Sequence, residues 1–118
     1  MDLNAKLQIR PGQRIAVLDR PADAPQIEAT GGAAEPQDAD VVVVFARTRA
    51  DLDNGGATAA LDAARADKLV WFAYPKAGKL GTDLNRDVLA GLLTDQGVQP
   101  VRQVAVDEVW SALRFRPV

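Results

Sequence analysis

The sequence predicts one domain with a three-layer α/β fold, about five strands in a mostly parallel sheet covered by helices. Three observations carry this reading. "DVVVVFA" (residues 40–46) and "KLVWFAY" (68–74) are apolar almost throughout rather than at alternate positions, the pattern of strands buried on both faces. Between them Ala57, Ala60, Leu61 and Ala64 recur at the spacing of one helix face. Strand, helix and strand at this length form a right-handed βαβ unit.

The other elements follow in order. "LNAKLQI" (3–9) places Leu3, Leu7 and Ile9 for one or two turns of amphipathic helix. A Pro-Gly turn leads into "RIAVLD" (14–19), a short strand stopped by Pro21. Residues 20–40 are rich in breakers. The expectation there is a short helix near residues 25–30, ended by Gly31 and Gly32, then a loop with a very short edge strand. Gly55 and Gly56 split the 47–67 segment into two helical pieces, since a glycine inside a helix costs about 1 kcal/mol relative to Ala. Leu84, Val88, Leu89, Leu92 and Leu93 make a further helix face. Asp83 or Asn85 caps its start, Asp87 complements its dipole, and Gly97 is expected as its C′ stop. Residues 100–106 and 110–116 read as antiparallel strands joined by a tight turn at 107–109.

Composition removes several chemistries. The chain has no Cys and no His, so it lacks a thiolate nucleophile, the commonest general base and the usual zinc ligands. No acidic spacing matches a calcium loop, and no metal site or cofactor is expected. A net charge of −2 gives no global attraction to nucleic acid, which is not an expected partner. No apolar run approaches the roughly 20 residues of a membrane span, and residues 1–10 hold no signal-peptide core. The expected location is the cytoplasm.

"RPGQRIAVLD", the alternation that follows it and the closing hairpin resemble the class I methyltransferase pattern, a Rossmann-like sheet that binds S-adenosylmethionine. That resemblance implies strand order 1-2-3-5-4 with the fifth strand reversed. The glycine-rich turn of the pattern is replaced here by Asp19-Arg20-Pro21-Ala22, whose side chains stand where the backbone would approach the cofactor. A more specific resemblance is to a family of small bacterial proteins grouped as a domain of unknown function. It is carried by "YPK" at 74–76, "TDLNRD" at 82–87 and "VAVDEVWSALRFRP" at 104–117. It implies the fold and no activity.

In open α/β sheets ligands sit outside the carboxyl ends of the parallel strands. Those ends offer Asp19 and Arg20, then Arg47, Thr48 and Arg49, then Tyr74, Lys76 and Lys79. With Thr82 and the helix start behind it, Arg47, Arg49, Lys76 and Lys79 form a candidate site for a small anion. "PKAGKLGTD" lacks the P-loop spacing, so a plain solvated loop is the competing reading. Tyr74 and Asp19 are the candidate proton-handling groups if the rim is catalytic. Trp71 reads as core, and Asp83 and Asp87 as capping acids rather than a catalytic pair. Trp110, Arg114 and Arg116 share one face of the last strand and form a candidate interface for a protein partner or a second copy; the competing reading is an outer strand whose arginines cover apolar surface with their stems or pair with acids.

The functional expectation is a non-catalytic binding or interaction module with no catalytic residues. The alternative is a nucleotide- or phosphometabolite-binding protein, or a small enzyme, working at the cationic rim.

Overall fold

The computed structural model describes residues 2–118. Its centre is a five-stranded mixed sheet in the order β1-β2-β3-β5-β4. The strands are β1 (Ile15–Leu18), β2 (Val41–Phe45), β3 (Leu69–Pro75), β4 (Val98–Ala105) and β5 (Trp110–Pro117). β1 pairs parallel with β2 and β2 parallel with β3, while β5 runs antiparallel to both β3 and β4. β4 therefore points the same way as the first three. Order and reversal are those the methyltransferase-like pattern implies.

The unbroken apolar runs explain why β2 and β3 are central. Side chains alternate across a sheet, so a strand covered on both sides needs apolar residues at every position. Val42, Val44, Val70, Phe72, Leu113 and Phe115 point to one face. There they meet α2 (Gly55–Arg65) through Ala57, Ala60, Leu61 and Ala64, and α3 (Arg86–Thr94) through Leu89 and Leu93. Val41, Val43, Phe45, Trp71, Ala73, Trp110 and Ala112 point to the other. The cover on that side is irregular: Leu7 and Ile9 beyond the short helix α1 (Leu3–Lys6), and Ala24 and Ile27 from the loop after β1. Trp71 is fully buried, and its indole N–H donates to the Leu7 carbonyl at 2.9 Å, tying this cover to the sheet.

The expected helix near residues 25–30 does not form; the segment is irregular. Its backbone groups are engaged elsewhere. The Arg20 guanidinium donates to the carbonyls of Ala24 and Pro25 at 2.8 and 3.1 Å, taking acceptors a helix would need. The Gly31 N–H donates to the Gln13 carbonyl and the Gly32 carbonyl accepts from the Ile15 N–H. The very short edge strand is a single parallel bridge between Ala33 and Ile15.

The 47–67 segment divides as expected, into a 3-10 helix (Arg49–Asp53) and α2, but the glycines open α2 instead of interrupting a helix. Asn85 caps α3 by accepting from the Val88 N–H at 2.8 Å, with Asp87 in the first turn. Leu84 is buried just ahead of that helix rather than on it. α3 closes at Asp95, and Gly97 stands two residues beyond that cap, with φ +86°. The Asp107 carboxylate closes the last turn by accepting from the N–H groups of Val109 and Trp110 at 2.8 and 2.7 Å.

Gly91 lies inside α3, exposed, with open space where a Cβ would stand. Gly91→Ala should therefore raise stability by about 0.5–1 kcal/mol, because Ala loses less backbone entropy in a helix. A urea midpoint that falls would contradict the placement of this residue in an open helical turn.

Candidate functional site: the carboxyl rim of the sheet

The loops leaving β1, β2 and β3 meet at one edge and are tied to one another. Arg47 is the junction. Its guanidinium Nη2 pairs with the Asp23 carboxylate at 3.0 Å, joining the β2 loop to the β1 loop. Its carbonyl accepts from the Thr82 hydroxyl at 2.6 Å, joining the β2 loop to the β3 loop. Its N–H donates to Asp51 Oδ2 at 2.8 Å, and the Thr48 N–H donates to the same oxygen at 3.2 Å, a capping box that starts the 3-10 helix. The Arg49 N–H donates to Asp83 Oδ1 at 2.8 Å, a second link between the β2 and β3 loops.

The loops after β2 and β3 meet through backbone groups of the 47–49 loop and the side chains of Thr82 and Asp83, not through the side chains of the four expected cations. Lys76 is half-buried and its backbone N–H donates to the Val109 carbonyl at 2.7 Å; Lys79 is exposed. Neither lysine carries an ion pair among the described residues. Asp83 serves the Arg49 backbone, so Asn85 alone of the two candidates caps α3. Asp19 is exposed with φ +58° and lies against Gly56 in the first turn of α2.

The acid that neutralises Arg47 is Asp23, which the sequence reading did not single out. It falls in the breaker-rich stretch just ahead of the helix expected near residues 25–30, although the topology already placed the β1 loop on this rim. The Arg47 guanidinium and the N–H groups of Arg47, Thr48 and Arg49 are therefore matched within the chain. Arg47 Nε is an exception, buried without a partner.

Tyr74 does not present itself to the rim. It is 2% exposed, at the end of β3 on the α2/α3 face, and the Gln103 side-chain amide donates to its hydroxyl at 2.9 Å. Burial pushes its pKa above the ordinary value of 10.0; Arg86 and the Gln103 hydrogen bond oppose the shift, and Asp87 adds to it. A phenol held neutral in this way is a poor general base at pH 7.

The shift has a consequence for stability. The folded protein holds the phenolic proton more tightly than the unfolded chain, so this contribution is fully present below about pH 10 and is lost as pH rises through the folded-state pKa. The chain has one Tyr, so phenolate absorbance reads this group alone. The titration midpoint should lie above the ordinary value in the native protein and return to it in denaturant. A native midpoint at or below the denatured one would contradict the buried placement.

The interface expectation needs one correction. Trp110 is 1% exposed and packs edge-to-face on Phe45, with ring centroids 5.3 Å apart. An anchor for a partner must offer its ring to that partner, so Trp110 is a core residue. Arg114 and Arg116 do share the predicted face and remain accessible in part.

No group of three or more Asp or Glu side chains arranged to hold a metal occurs among the described residues. No helix among them is long and apolar enough to cross a membrane. No protein-family model matches the chain, and no curated protein matches it significantly.

Proposed function

We propose that this protein is a non-catalytic binding or interaction module on a three-layer, Rossmann-like sheet related to the methyltransferase pattern. We place it with the small bacterial family its "YPK", "TDLNRD" and "WSALRFRP" segments resemble, acting in the cytoplasm. One observation carries the reading. At the edge where such sheets bind ligands, Asp23, Asp51 and Asp83 already engage the Arg47 guanidinium and the N–H groups of Arg47, Thr48 and Arg49. A rim whose turn N–H groups and central guanidinium are engaged internally works as a brace between loops.

S-adenosylmethionine does not fit the loop after β1. Asp19-Arg20-Pro21-Ala22 offers no glycine for close backbone approach, and Arg20 staples the loop onto Ala24 and Pro25. The alternative reading, a phosphate-bearing ligand at the rim, draws on Lys76 and Lys79, which carry no ion pair among the described residues.

A thermal-shift screen against nucleotides, phosphorylated metabolites and S-adenosylmethionine separates the two. A ligand at 100 times its Kd stabilises by about 2.7 kcal/mol, well within reach of the method. S-adenosylmethionine should give no shift, and any shift from a phosphate compound should persist in Lys76→Ala/Lys79→Ala. A shift abolished by that double substitution would favour the alternative.

A further inference from the structure

Arg102 and Arg114 are register partners on β4 and β5, on the sheet face away from α2 and α3. Partners in an antiparallel pair hold their Cβ atoms about 5 Å apart, and like charges so placed are destabilising. Among the described residues no carboxylate pairs with either arginine. The Arg102 side chain makes no hydrogen bond or ion pair among the described residues. Arg114 Nη1 donates to the neutral Gln8 Oε1 at 2.8 Å, and its Nε is buried without a partner. Arg116, two residues on, faces Asp67 at 3.8 Å.

Arg114 also lines a cavity of about 640 Å³ with Gln8, Arg10, Asp40, Asp67 and Lys68. The volume is within the range of small-molecule sites, about 300–1,000 Å³. The cavity lies at the amino ends of β2 and β3, the opposite end of the sheet from the rim. Besides Arg114, three of its charged groups have partners within the chain, Asp67 with Arg116 and the two that follow. The Lys68 ammonium donates to the carbonyls of Pro36 and Gln37 at 3.1 and 2.8 Å, and Asp40 accepts from the Arg14 N–H at 2.9 Å. Arg10 and Arg114 are left as the cations facing the space.

We propose that Arg114, with the cavity it lines and with Arg102 as its register partner, binds a small oxyanion, the phosphate or carboxylate group of a metabolite. A guanidinium offers a planar fork of donors matched to either group, and an oxyanion between two forks turns their repulsion into binding. The site gives the binding module a ligand class and does not depend on the rim.

Calorimetry at low ionic strength, with pyrophosphate and with citrate as probes, tests this. At least one probe should bind saturably and weaken with added salt. Arg102→Gln should weaken it about tenfold or more, the loss expected for a hydrogen bond to a charged group. Arg102 is exposed, so this variant should keep the native circular dichroism spectrum. Arg114→Lys keeps the charge but removes the fork, and should also weaken binding. Lys76→Ala/Lys79→Ala should bind as wild type does. Pyrophosphate alone, citrate alone or both binding in this pattern supports the proposal and names the group recognised. No saturable binding of either probe, or equal affinity in Arg102→Gln, overturns it. Binding lost in Lys76→Ala/Lys79→Ala instead would move the ligand to the rim and overturn both this site and the braced-rim reading.

Discussion

Phe72→Ala should lower stability by about 3–5 kcal/mol. Phe72 is fully buried in β3, paired in register with Val44 on one side and Leu113 on the other. Its ring packs edge-to-face on Phe115, with centroids 5.5 Å apart, under the faces of α2 and α3. Truncation removes the apolar transfer energy of the ring and leaves a cavity that strands on both sides prevent from closing. For a domain whose total stability is about 5–15 kcal/mol, this is a large fraction. Val44→Ala should act in the same direction with a smaller loss. Urea denaturation should show a fall in midpoint at constant slope. A midpoint near that of wild type would mean that β3 is not the central strand.

Gly31→Ala should cost about 1–3 kcal/mol, although Ala is ordinarily the less costly residue to order. A Cβ at position 31 would fall inside contact distance of the main-chain carbonyls of Gly12 and Gln13. Backbone cannot swing aside as a rotamer can. The two turns are also fastened together: the Gly31 N–H donates to the Gln13 carbonyl at 2.9 Å, and the Gly12 N–H to the Thr30 hydroxyl at 2.6 Å. Forcing them apart disturbs the entry to β1 and its bridge to Ala33. Gly91→Ala, where the space is open, is the control that should move the other way. If both substitutions stabilise, the close approach of the two turns is wrong.

Why the sheet was legible and the site less so follows from the kind of signal each leaves. Val41–Phe45 and the run ending at Tyr74 announce burial on both faces through residue type alone, because no charged side chain interrupts them. α2 and α3 announce themselves through periodicity, and the hairpin through two strand runs separated by only three residues. The loop after β1 leaves no such trace. Its path is fixed by Arg20 reaching two carbonyls and by Gly31 meeting the Gly12–Gln13 turn, contacts between positions with no shared period. For the rim, topology placed Arg47, Arg49, Lys76 and Lys79 on the loops of one edge. It could not show that Asp23 turns toward Arg47, because that pairing depends on where an irregular loop folds back. Trp110 misled for a related reason. Strand alternation correctly put it with Arg114 and Arg116, but only the cover from α1 and the β1 loop decides how much of that face is open.

The central claim, that the carboxyl rim is a brace and not a ligand site, is tested most directly by amide chemical-shift mapping during a titration of ATP at low ionic strength. We expect the amides of residues 47–49 and 76–83 to stay in place, held by Asp51, Asp83 and their loop partners. Any shifts elsewhere should be the same in Lys76→Ala/Lys79→Ala. Saturable shifts centred on residues 47–49 and 76–83, reduced by salt and abolished in the double variant, would contradict the account.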